Sequence, residues 1–121
     1  MPVKSLNSSV LKWPDAQSVD QAVRRWAERI ARERKYIRRI GYFGSYARGD
    51  WGPGSDLDLI IVLDHSDLPF EERSREWDAA ELPVPTDVLV YTQKEWLTFN
   101  DSRFHQTLNR EAIWVYVSDG H

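Results

Sequence analysis

Apolar side chains at Val19, Ala22, Val23, Trp26, Ala27, Ile30 and Ala31 recur at helical spacing, and charged residues fill the turns between them. That pattern predicts an amphipathic helix from Ser18 to about Glu33, with Ser18 and Gln21 as a capping box. Residues 1–17 carry no clear period, and Trp13-Pro14-Asp15 reads as a turn before the helix. Short apolar runs follow at Tyr36–Phe43 and Leu57–Leu63, the second bounded by a Gly/Pro/Ser cluster as a buried strand is. Leu68-Pro69-Phe70 opens an expected second helix, with Phe70, Trp77 and Ala80 as its apolar contacts; Leu82-Pro83-Val84-Pro85 ends it, because proline disfavours helical geometry in the residue before it. Asp87–Tyr91 reads as a third strand. Thr92 and Glu95 form a capping box for a helix carrying Trp96, Leu97 and Phe99, and Asn100-Asp101-Ser102 breaks it. A last helix from Ser102 to Arg110 is expected to bury Phe104 and Leu108, before a final strand at Ile113–Val117. This alternation predicts one α/β domain over residues 1–121: a small mixed sheet of four or five strands with helices packed mainly on one face.

The stretch from Gly44 to Leu63 concentrates the chemistry. Side chains alternate faces along a strand, so Asp56 and Asp58 point the same way. Two carboxylates on one face repel, an arrangement that persists at neutral pH when a cation sits between them. Magnesium suits such a site, since it takes one or two carboxylates together with substrate phosphates. Upstream, Gly44-Ser45 opens a possible helical turn over Tyr46-Ala47-Arg48 that Gly49 stops. Free N–H groups at that turn, the Ser45 hydroxyl and the Arg48 guanidinium suit an anion. A phosphate cradle beside a divalent-metal site points to phosphoryl or nucleotidyl transfer.

The run Gly44-Ser45-Tyr46-Ala47-Arg48-Gly49, followed by Ser55-Asp56-Leu57-Asp58-Leu59, resembles the signature of the polymerase-beta-type nucleotidyltransferase superfamily. In size and layout the chain is similar to its minimal nucleotidyltransferase branch. The family pattern asks for a third acid entering a later strand, and Asp87 in Pro85-Thr86-Asp87-Val88-Leu89-Val90-Tyr91 matches it. The resemblance spans roughly residues 36–117. It implies a palm-like nucleotidyltransferase fold and two magnesium ions, with Asp56 and Asp58 binding both. Asp87 would bind the catalytic ion and help deprotonate the acceptor, while Gly44, Ser45 and Arg48 would hold the terminal phosphates of a nucleoside triphosphate, ATP being the expected one. Minimal members are often paired with a small helical HEPN-type toxin, for which they act as antitoxin, some by transferring AMP to a tyrosine of that toxin. The expectation for this chain is the same, with a binding-only antitoxin as the alternative. A metal-dependent nuclease or phosphatase shares the acids but leaves the Gly-Ser turn unexplained.

Composition narrows the partners. A formal net charge of −3 argues against a large sequence-independent nucleic-acid footprint, although Arg24, Arg25, Arg29, Arg32, Arg34, Lys35, Arg38 and Arg39 form a local basic run. Cysteine is absent, which rules out thiolate metal sites and fits a reducing cytoplasm. No stretch approaches the roughly 20 apolar residues a membrane span needs, and no signal peptide is visible. The chain is therefore expected in the cytoplasm; its oligomeric state is open, a homo-oligomer included. Most of the six tryptophans are expected in the core, and Trp51 is read as packing down its loop rather than stacking on a base. His65, His105 and His121 never fall at metal-ligand spacing.

Overall fold

The computed structural model describes residues 13–99 and 102–118. Helix α1 (Ala16–Glu33) starts two residues earlier than the capping-box pattern predicts, because Asp15 rather than Ser18 is the N-cap, its carboxylate accepting from the Ser18 N–H at 2.9 Å. An ionised acid at this position satisfies a free helix N–H and suits the positive end of the helix dipole. Its apolar stripe, Val19, Val23, Trp26, Ala27, Ile30 and Ala31, is buried as the periodicity requires.

Four strands make the expected mixed sheet, in the order β3-β2-β1-β4: β1 (Ile37–Phe43), β2 (Leu57–Leu63), β3 (Thr86–Thr92) and β4 (Ile113–Val117). β1 runs antiparallel to both β2 and β4, whereas β2 and β3 are parallel. β2 is apolar on both faces because it is covered on both. Leu57, Leu59, Ile61 and Leu63 join the larger core under α1; Ile60 and Val62 face a smaller cluster with Tyr91, Trp96 and Leu108. The long helix thus takes one face, and two short helices, α4 (Gln93–Thr98) and α5 (Arg103–Glu111), close the other.

The second predicted helix is mostly absent. One α-turn (Phe70–Arg73, α3 in the order of the chain) runs into a tight turn at Ser74–Glu76, and the chain then leaves helical geometry. Trp77 is the reason: it buries against the α1 core with Arg34 over its ring at 4.3 Å, and the Trp26 indole donates to the next residue's carbonyl, that of Asp78, at 3.0 Å. Tertiary burial of one large aromatic outweighs the helix propensity of a short acidic segment. The predicted break at Asn100-Asp101 and the segment 1–12 lie outside the described residues.

On α5 Leu108 is buried as expected, but Phe104 is 54% exposed and His105 takes the inner position at 1%. His105 lies against Trp96, ring centroids 3.7 Å apart, and its Nε2 has no hydrogen-bond partner among the described residues. Burial pulls its pKa below the usual histidine range, so the ring is neutral in the fold. The unfolded chain therefore binds more protons as pH falls below about 6.5, and stability is lost in that direction. Replacing His105 by Leu is expected to flatten the fall in melting temperature between pH 7 and pH 5 seen for the native chain. An unchanged pH profile in scanning calorimetry would contradict this.

Candidate active site

β1 delivers the chain to Gly44, whose φ of +84° and ψ of −154° form a conformation that only glycine adopts without strain. The turn starts α2 (Ser45–Arg48), a single helical turn closed by the Arg48 N–H on the Gly44 carbonyl at 2.9 Å and ended by Gly49 in the left-handed conformation. Trp51 stacks on Tyr46, ring centroids 5.5 Å apart, and so packs the following loop down, as read from the sequence.

Phe43 pairs with Asp58 across β1 and β2, which carries Asp58 under the Gly44 turn. A Cβ built on Gly44 would stand 2.6 Å from Asp58 Oδ2. Backbone and carboxylate are thus packed directly together. Gly44→Ala should lose transfer activity by at least 10-fold and stability by about 1–3 kcal/mol, since it combines a disallowed φ with a clash on the carboxylate. Activity and a melting curve like those of the native chain would show that the close approach is immaterial.

Asp58 is the second residue of β2, and Asp56 lies just before the strand, exposed. Leu57 and Leu59 turn into the α1 core, so Asp58 faces the other way, toward α5. In the parallel ladder Asp58 registers with Asp87, which places two carboxylates on one face of neighbouring strands, about 4.8 Å apart in backbone. Burial, and then the Asp87 and Asp56 carboxylates, push the Asp58 carboxyl above its usual range; Arg48 pulls the other way without cancelling them.

Two recesses meet at Asp58. One, of about 440 Å³, is walled by Gly44, Ser45, Arg48 and Asp56 on one side and by Phe104, Thr107 and Glu111 of α5 on the other. The second, of about 800 Å³, opens on the Asp87 side beneath Trp77, Leu82 and Val84. The sequence-predicted residues Gly44, Ser45, Arg48, Asp56 and Asp58 therefore share one recess, and Asp87 joins Asp58 in the next. Arg48 is exposed and held by Asp50 at 3.1 Å and Glu111 at 3.4 Å, so an incoming phosphate would have to displace a carboxylate from it. Thr107 and Glu111 escaped the sequence reading because they lie on the polar face of α5, although their i, i+4 spacing does set both on one side of that helix.

Among the described residues no three histidine, aspartate or glutamate side chains converge closely enough to hold an ion as they stand. Carboxylate oxygens are the ligand type that hard divalent ions take. Asp58 and Asp87 are adjacent, Asp56 lies two residues ahead, and burial together with the two neighbouring carboxylates raises the Asp58 carboxyl.

The model of the family described as nucleotidyltransferase domain matches residues 24–113, most of the chain and every residue of the site. No curated protein sequence matches this chain. Among solved structures, a candidate nucleotidyltransferase of Sulfolobus solfataricus superposes with a TM-score of 0.58 at 19% identity, covering 90% of this chain and 93% of that one. A toxin-antitoxin complex with AMP-PNP gives a TM-score of 0.53 at 15% identity, and a mutant of the toxin-antitoxin pair MntA-HpeT gives 0.51 at 12%, each covering 79% of this chain and 74% of the other. At these identities the superpositions establish a shared fold, and the family match goes further: this chain belongs to the nucleotidyltransferase domain family.

Proposed function

We propose that the chain is a magnesium-dependent enzyme that transfers a nucleoside monophosphate, AMP from ATP, to an acceptor hydroxyl. The observation that carries the reading is the register of β2 on β3, which sets Asp58 beside Asp87 while β1 brings the Gly44-Ser45 turn over Asp58. In this reading the Ser45 hydroxyl and Arg48 guanidinium hold the terminal phosphates, in the recess they share. Asp56, Asp58 and Asp87 are the residues that would hold two magnesium ions. Bound magnesium supplies Lewis acidity to the phosphates and to the attacking oxygen. The acceptor oxygen bonds to the α-phosphorus, the bond from that phosphorus to the bridging oxygen breaks, and pyrophosphate leaves. The acceptor's proton passes to the Asp87 carboxylate.

The acceptor is proposed to be a tyrosine of a HEPN-type toxin, with this chain as its antitoxin in the cytoplasm. Support comes from the likeness to two toxin-antitoxin structures, one of them with AMP-PNP. Labelled ATP tests the reaction type. With the label on the α-phosphate the acceptor should become labelled, and with the label on the γ-phosphate it should not. The reverse result would make the reaction phosphoryl transfer and overturn the reading.

A further inference from the structure

We propose that the free edge of β3 docks the acceptor, an extended basic protein segment that adds to the sheet as a strand and presents its hydroxyl to Asp87; this rests on the transfer reading above. Among the described residues β3 is an edge strand, paired only with β2. The Pro85 carbonyl accepts from the Leu57 N–H at 2.8 Å, so the backbone groups of Pro85, Asp87 and Leu89 face β2. The Val90 carbonyl instead accepts from the Arg73 guanidinium at 3.2 Å, which agrees with alternation turning Thr86, Val88 and Val90 outward. Among the described residues no hydrogen bond meets the backbone N–H or C=O of Val88 on that side. An edge of this kind is a template for one more strand.

The surroundings specify the occupant. The recess of about 800 Å³ runs along this edge, between β3 and the segment that includes Trp77, Leu82 and Val84. A strand added there lies about 4.8 Å from β3, and its residue opposite Asp87 projects on the face that Asp87 shares with Asp58. Its hydroxyl then arrives beside the acid that takes the proton. Alternate side chains meet the apolar wall. Charge selects the partner: besides the three site acids, Glu76 and Asp78 are exposed on the segment that walls the recess, with Arg75 just ahead of them. That balance suits a segment rich in Lys and Arg and disfavours an RNA acceptor, whose phosphates would meet like charge.

The test uses the full chain, magnesium, α-labelled ATP and a library of 11-residue peptides with a fixed central tyrosine, serine or threonine and all other positions randomised. Labelled peptides should be enriched in Lys and Arg and in β-branched residues at alternate positions. Val88→Pro removes the outward N–H without touching the β2 ladder, and Ala80→Trp fills the recess from its exposed rim. Each should cut peptide labelling at least 10-fold while magnesium-ATP still raises its melting temperature. Val88→Thr keeps the N–H and should label like the native chain. In amide exchange the Val88 N–H should become protected on adding the most strongly labelled peptide. Undiminished labelling by both blocking variants, or an unprotected Val88, would overturn the docking proposal and leave transfer standing, as would labelling of RNA or a small molecule in a cell extract with no peptide labelled. Absence of any labelled acceptor, in the library and in the extract alike, would remove the transfer reading and the docking proposal with it.

Discussion

Replacing Asp58 by Asn should yield a protein that melts higher than the native chain and transfers nothing. Burial and two neighbouring carboxylates raise the Asp58 carboxyl, so the folded state holds its proton more tightly than the unfolded chain does. Above its raised folded value the group is ionised in both states, and ionising is harder in the fold. The penalty is present at neutral pH, fades as pH falls through that raised value and is gone below the ordinary carboxylate value of about 3.9. Asn keeps the shape and removes the charge. Without magnesium the variant should gain about 2–4 °C at pH 7, less than 1 kcal/mol for a domain of this size, and the gain should shrink toward pH 4. Magnesium inverts the order, because an ion that binds only the native site stabilises only the native chain. Transfer should fall roughly 10³-fold or more, the scale of losing an electrostatic stabiliser of the transition state. A variant that melts lower at pH 7 without magnesium would show that ionised Asp58 carries no penalty in the fold.

Glu95→Ala is the change expected to damage the fold most. Arg73 is only 5% exposed, and it donates to the carbonyls of Leu68 at 2.9 Å and Val90 at 3.2 Å and to both Glu95 oxygens, at 2.6 and 2.9 Å. Glu95 also accepts from the Thr92 N–H at 2.9 Å, and Thr92 Oγ1 accepts from the Glu95 N–H at 3.2 Å, which is the capping box of α4. Alanine leaves a buried guanidinium without its counter-charge and half-opens the cap. Breaking such a pair costs about 3–5 kcal/mol, a large share of the 5–15 kcal/mol that holds a domain together. The Arg73 hydrogen bonds hold the Glu95 carboxyl below its usual range. Its contribution is therefore complete above the ordinary carboxylate range and is lost as pH falls through the lower, folded value. Urea denaturation of Glu95→Ala should show a midpoint far below the native one, and Glu95→Gln a smaller drop with weaker acid dependence. A midpoint within experimental error of native would place the strength of this corner elsewhere.

The contrast between these two sites explains what the sequence discloses. Asp56 and Asp58 could be read because strand alternation is a local rule, and Thr92 with Glu95 because a capping box spans four residues. That Asp87 stands beside Asp58 follows from a parallel register across intervening chain, which no local pattern sets; the sequence reading reached Asp87 through its likeness to a family. Nothing local marks Arg73 as buried, since its burial depends on Val90 and Glu95 arriving from β3 and α4. Trp77 broke the expected second helix for the same reason, the core it fills being built by α1. Phe104, expected inside, instead meets Phe43 edge to face, ring centroids 6.4 Å apart, and walls the recess beside Asp58. A helix this short shows its apolar positions without saying which of them a sheet will claim.

On the proposed reading, the acids grouped by β2 and β3 move a nucleotide onto a cellular acceptor. An extract of the cells that make this protein, given magnesium and α-labelled ATP, tests it most directly when the native chain and Asp58→Asn are run side by side. A labelled protein band is expected with the native chain and none with the variant. A band of equal strength in both, or in neither when a binding partner is demonstrably present in the extract, would contradict it.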